Sequence, residues 1–178
     1  MNRLNLALGL ALACAAAGIQ AAEPCRIALD QPELDYGVLQ LPTGSRLDSF
    51  QQPHALPVRN VRVRISCPAP GPLAVDLTGA SEGGQARFAD AGHLRLQLAQ
   101  ATVDGAVVDL ANLNQGPTGQ RELDVQPGQR IVPVNAGQPV QGSEWAMTLL
   151  VTPSLPLGEL RRADETLLQG SLALQLAE

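Results

Sequence analysis

The stretch VRNVRVRISC, Val58 to Cys67, decides the fold class. Its side chains alternate in character, with apolar residues and a cysteine at every second position: Val61, Val63, Ile65 and Cys67. The positions between them hold arginine and serine. A period of two residues is typical of a β-strand with one face towards a core. The stretch therefore predicts a strand whose inner face includes Cys67.

Most of the chain on either side of this strand shows the same alternation. The segments predicted as strands are CRIAL (25–29), ELDYGVLQL (33–41), LAVDLTGA (73–80), LRLQLAQA (94–101), RELDVQPGQRIVPV (121–134), EWAMTLLVTP (144–153) and LLQGSLALQLAE (167–178). PAPGP at 68–72 predicts a stop, the glycine-rich stretch 81–93 predicts a loop, and Asp104-Gly105 and Pro127-Gly128 predict tight turns. Eight or nine short strands at this spacing predict an all-β fold, an antiparallel β-sandwich.

The N-terminus has the order of a secretory signal peptide. Arg3 precedes an apolar Leu/Ala run from Leu4 to Ala17, and small residues follow it. We expect residues 1–21 to be removed, with cleavage after Ala21 or Ala22, and residues 22–178 to form one domain. A lipoprotein signal with Cys14 as the lipidated residue is the alternative. No later segment is apolar for long enough to cross a bilayer.

Removal of the signal leaves two cysteines, Cys25 and Cys67. An exported chain meets an oxidising compartment, where a disulfide between them is the default expectation. A closed loop of this length would stabilise the fold by about 4 kcal/mol. Two free thiols or a metal pair are the alternatives. A metal pair is disfavoured because the chain has no CxxC spacing and only two histidines, His54 and His93, both expected to be ordinary exposed histidines.

Composition and spacing favour a non-enzymatic protein. The net charge of −5 gives no reason to expect a nucleic-acid partner. The GxSxG spacing of a nucleophile elbow is missing, and the double glycine at 83–84 precedes no helix start. Trp145 begins an apolar strand and is expected in the core. We therefore expect no catalytic residues, no metal site and no cofactor.

Three segments in order carry a resemblance to a known family. They are Cys25, then PELDYGVL with Tyr36-Gly37, and then VRNVRVRISCPAPGPLAVDLTG around Cys67. The chain resembles the subunits of chaperone–usher fimbriae, the pilins of Gram-negative bacteria. The resemblance implies an immunoglobulin-like sandwich, incomplete by one strand, with one disulfide. A periplasmic chaperone fills the gap first, and a strand from another fimbrial subunit replaces it at the outer-membrane usher. It thus implies export across the inner membrane to the periplasm and then to a cell-surface fimbria.

The last predicted strand, in LLQGSLALQLAE (167–178), is called the closing strand, and it occupies the place of the family's chaperone-contacting strand. The resemblance implies that Gly170, Leu172, Leu174 and Leu176 contact the chaperone or donor strand. Two departures matter: the chain ends in Ala177-Glu178 where the family usually has a penultimate tyrosine, and about three residues would precede Cys25 after cleavage. We therefore expect a strand acceptor, a structural or tip subunit at the distal end of a fibre or one that does not polymerise. A free-standing secreted or periplasmic binding module with a self-complete sandwich is the alternative.

Overall fold

The computed structural model describes residues 24–38, 53–116, 118–156 and 168–177, and every regular element in them is a β-strand. The predicted signal peptide and Cys14 lie outside these ranges. The strands are β1 Arg26–Leu29, β2 Pro53–Ala55, β3 Arg59–Pro72, β4 Val75–Gly79, β5 Ser81–Glu82, β6 Gln85–Phe88, β7 Gly92–Val103, β8 Ala106–Val107, β9 Asp109–Asn112, β10 Glu122–Val125, β11 Gln129–Asn135, β12 Gln138–Pro139, β13 Gln141–Pro156 and β14 Leu172–Leu176.

The strands form two antiparallel sheets, as the sequence predicts. The larger sheet has the order β1-β3-β13-β7-β6-β5, with β10 and β8 also paired to β7 and β2 paired to β13. The smaller sheet has the order β12-β11-β4-β14, with β9 also paired to β11. Consecutive strands β10 and β11 thus lie in different sheets, although only Gln126 to Gly128 separate them. The molecule is an all-β sandwich.

Aliphatic side chains from both sheets fill the space between them. The long strands β3, β7 and β13 supply alternating inward residues, among them Ile65, Leu96 and Met147, which are buried. Trp145 is fully buried beside them, as predicted. Because the buried residues recur at period two, one face of each strand lies in the core and the other holds the more exposed side chains, such as Arg64 and Glu144.

The disulfide prediction is confirmed: Cys25 and Cys67 are bonded, with their Cα atoms 4.1 Å apart. Cys67 is half-buried and packs against the core. The bond joins the residue that precedes β1 to the middle of β3, and these two strands pair with Ile27 opposite Ile65. The disulfide therefore fastens β1, a strand of only four residues, to its neighbour β3 in the larger sheet.

Several local predictions were wrong. The described part of the predicted strand 33–41 forms no strand: Leu34 and Tyr36 pack against the core from an irregular segment, while Val38 is 84% exposed. Residues 39–41 lie outside the described ranges. The predicted stop at 68–72 lies within β3, because proline remains compatible with a strand where its missing N–H is not needed. The predicted loop 81–93 contains the β5–β6 hairpin. His54 and His93 are half-buried and not exposed.

Candidate strand-binding site

The closing strand β14 forms one edge of the smaller sheet. It pairs antiparallel with β4, placing Leu174 opposite Leu77, and in the described part of the chain no strand pairs with its other side. Successive residues of an antiparallel strand point their backbone N–H and C=O groups to alternate sides. Because the N–H of Ala177 donates to the C=O of Ala74 at 3.0 Å, Ala173 and Gln175 also face β4.

The residues of β14 that alternate with these therefore point their backbone N–H and C=O groups to the open side. The residues concerned are Leu172, Leu174 and Leu176. The orientation of β4 agrees with this assignment, since the C=O of Leu77 accepts from the N–H of Gly128 at 2.7 Å and so faces away from β14. In the described part of the chain these three N–H and three C=O groups have no strand partner, and they form a row along the open edge.

The side chains of the same three leucines point towards the core but are only half-buried. Inward residues on β4, such as Val75 and Leu77, are 0% and 1% exposed. The difference arises because β14 has a covering neighbour on one side only. The sheet edge therefore offers apolar surface and unpaired backbone together, the two features that bind an extended strand.

Strand β1 of the larger sheet faces this edge and is called its second wall. The N–H of Asp30 donates to the C=O of Arg62 at 3.1 Å, so by the same alternation Ile27 and Leu29 of β1 direct their backbone away from β3. Leu29 is 39% exposed although its pairing partner Val63 is 1% exposed. Some Cα atoms of β1 lie within 8 Å of β14, yet no ladder joins the two strands in the described ranges.

Sequence reasoning missed this second wall. The alternation in CRIAL indicated inward Ile27 and Leu29, but it could not show which strand of the other sheet would face the closing strand. That information lies in the disulfide and in the pairing of β1 with β3. The side chain of Asp30 also holds the end of β1 against β3, because its Oδ1 accepts from the N–H of Arg62 at 2.7 Å.

Tyr36 anchors the segment that follows β1. Its hydroxyl donates to the C=O of Val151 at 3.3 Å, and the guanidinium of Arg59 lies 5.6 Å from the ring centre. Burial raises the pKa of Tyr36, and the nearby Arg59 charge partly opposes that shift. Gly37, with φ of 67°, adopts the left-handed conformation that glycine tolerates best. The Tyr36-Gly37 pair therefore has a structural role in turning the chain away from the core.

The four residues predicted to contact the chaperone or donor strand lie in two different environments. The structure puts Leu172, Leu174 and Leu176 together on one face of β14. Gly170 precedes the strand and is exposed, but one side of it lies against β6, since a Cβ there would lie 2.9 Å from the carbonyl oxygen of Arg87. Whether any of them contacts a partner stays a prediction.

The edge carries no charge. Residues 168–177 contain no Asp, Glu, Lys or Arg. Among the described residues no group of three or more His, Cys, Asp or Glu side chains is placed to hold a metal ion. Those residues also include no helix of the length and apolarity needed to span a bilayer. The chemistry of the edge is therefore that of backbone hydrogen bonding and aliphatic packing.

Comparison with known proteins adds no further constraint. No family model matches the chain, and no curated protein matches it.

Proposed function

We propose that this protein is a non-enzymatic subunit of a chaperone–usher fimbria, in a structural or tip position, that receives a strand from a partner at the edge of β14. The single observation that carries the proposal is the combination of unpaired backbone and half-buried leucines on that strand. Such an edge is an aggregation hazard in an isolated protein, and pairing with another chain removes the hazard.

The position of the edge adds support. It belongs to the closing strand, where the family resemblance expects the chaperone contact, and β1 lies across from it. An incoming strand with apolar side chains at alternate positions would bond to β14 and cover Leu172, Leu174 and Leu176 on their exposed flank. The proposed partners are thus a periplasmic chaperone, the usher and other fimbrial subunits, in the periplasm and then at the cell surface.

One observation favours a second function, that of a free-standing binding module. Because β1 approaches β14 within 8 Å and the leucines are already half-buried, the two sheets come close to enclosing the core without a further strand. A sandwich of this kind could fold alone and use other surfaces for binding.

Co-expression separates the two functions. The protein is exported to the periplasm with and without a fimbrial chaperone, and the native mass of the recovered species is measured. Recovery only as a one-to-one complex supports the strand-acceptor function. Accumulation of a soluble, oxidised species without the chaperone, unchanged in yield when the chaperone is added, would overturn it and support the free-standing module.

A further inference from the structure

The open edge of β14 lacks the usual protection against pairing. Edge strands are commonly guarded by lysine, proline, a bulge or an inward-pointing charge. The sequence LALQL of β14 contains none of these residues, and its ladder with β4 runs without a register shift from Leu172 to Leu176. The chain as a whole carries a net charge of −5, so the edge is an uncharged strip on an acidic protein.

The strand is also complementary to itself. If two copies run antiparallel with Leu174 opposite Leu174 of the second copy, then Leu172 lies opposite Leu176. Each of these residues directs its N–H and C=O to the open side, as the bond from Ala177 to Ala74 establishes. Six hydrogen bonds would then pair all of the free groups on both edges.

We propose that a second copy of this chain occupies the open edge, through an antiparallel two-fold pairing of β14 centred on Leu174. The pairing is isologous, so it closes at a dimer and does not propagate. Between the two copies of β14 it brings no like charges together, because the outward residues Ala173 and Gln175 face one another across the seam. The leucines of each copy cover the exposed flank of those in the other.

The size of the contact sets its strength. Five residues from each copy are far fewer than the roughly 20–30 a side of a standard stable interface. The dimer is therefore weak and depends on concentration. It rests on the open edge alone and not on the fimbrial proposal, although a chaperone or donor strand at the same edge would exclude the second copy.

Sedimentation velocity of the refolded, oxidised protein tests the inference, over concentrations from about 1 to 500 µM, a range that spans weak dimers. We expect a monomer–dimer equilibrium. The double variant Ala173→Lys/Gln175→Lys places lysines opposite each other at two positions of the seam and should raise the dissociation constant about tenfold or more. In the monomer these side chains face solvent, with residue 175 opposite Asp76 of β4, so the melting temperature and free-thiol content of each variant are measured to show that the oxidised fold is retained.

A matched variant tests the register. Ala173→Lys/Gln175→Glu places a lysine opposite a glutamate at both positions, so it should retain or strengthen the dimer. The inference is overturned if the parent stays monomeric at every concentration, if it forms open aggregates, or if both variants dimerise equally well. A parent that is monomeric yet binds a fimbrial chaperone would overturn the dimer and leave the proposed function standing.

Discussion

Gly170 lies against the backbone of Arg87, so closely that a Cβ on the glycine would come within 2.9 Å of the carbonyl oxygen of Arg87. The same atom would meet the ring of Phe88 at 3.3 Å. The N–H of Ala89 donates to the C=O of Gln169 at 2.8 Å, which fixes this approach. The relationship ties the start of the closing strand to the β6–β7 turn of the other sheet. It assigns Gly170 a packing role before any partner is considered.

Gly170→Ala should lower the free energy of unfolding by about 1–3 kcal/mol, because the backbone of Arg87 cannot yield as a flexible side chain would. Gly71→Ala is the matched control, since a Cβ at Gly71 meets no atom within 4 Å. Urea unfolding of both variants measures the difference. Equal stability of the two variants would contradict the close packing at Gly170.

Removal of the disulfide should cost about 4 kcal/mol in the chain-entropy description, given the sequence separation of 42 residues between Cys25 and Cys67. The loss of stability should be greatest at β1, a four-residue edge strand that the disulfide holds against β3. Thermal melting of Cys25→Ser/Cys67→Ser, and of the parent with reductant, measures it. The exposed neighbour Ser66→Ala serves as control. A double variant with the same melting temperature as the parent would contradict a stabilising role of the disulfide.

The ion pair between Arg130 and Asp76 predicts a pH dependence. Both carboxylate oxygens accept from the guanidinium at 2.8 Å, and this hydrogen bonding lowers the pKa of Asp76. A carboxyl whose pKa is lowered by folding stabilises the protein above its ordinary pKa, and that stability is lost as pH falls through the folded value. Melting temperature should therefore hold from pH 7 to about 5 and decline below about 4.

Asp76→Asn should flatten that acid decline and lower the melting temperature at pH 7 by about 2 °C, a small effect because both side chains are partly exposed. Asp124→Asn, which removes the exposed partner of Arg95, is the matched control and should change less. A parent and an Asp76→Asn variant with parallel pH profiles would show that other carboxylates dominate.

The sequence predicted the fold class because period-two patterns survive in the long strands. Val61, Val63 and Ile65 alternate over a stretch that packing then buries. The disulfide was predicted from two cysteines on inward faces together with the expectation of export. Local pattern could not reveal that Tyr36 packs from an irregular segment, since an extended coil also alternates its side chains. It could not show the division of β10 and β11 between sheets, because that choice depends on contacts with strands distant in sequence.

The candidate site was predictable in part. The alternation of Leu172, Leu174 and Leu176 marks an inward face, and their half-burial required the structure, because exposure depends on which neighbour is missing. The contribution of Leu29 also required the structure. A four-residue strand gives a weak pattern, and only its pairing with β3 places it across from the closing strand.

The contact predicted at the edge of β14 can be tested with two variants one residue apart. Leu174→Asp puts a carboxylate on the half-buried inner face, while Ala173→Asp puts it on the exposed outer face of the same strand. A strand bound at the open edge covers the inner leucines, so Leu174→Asp should abolish capture by a fimbrial chaperone and Ala173→Asp should largely preserve it.

Capture should be measured by native mass of co-expressed protein, with the disulfide verified for each variant. Because Leu174→Asp also weakens packing against Leu77, Leu174→Ala provides a milder second test. It keeps the backbone groups that face the open side, so its capture should fall between those of the parent and Leu174→Asp. Equal capture of all variants would place the chaperone contact elsewhere, because a partner that ignores a charge at the centre of β14 cannot be covering its leucines.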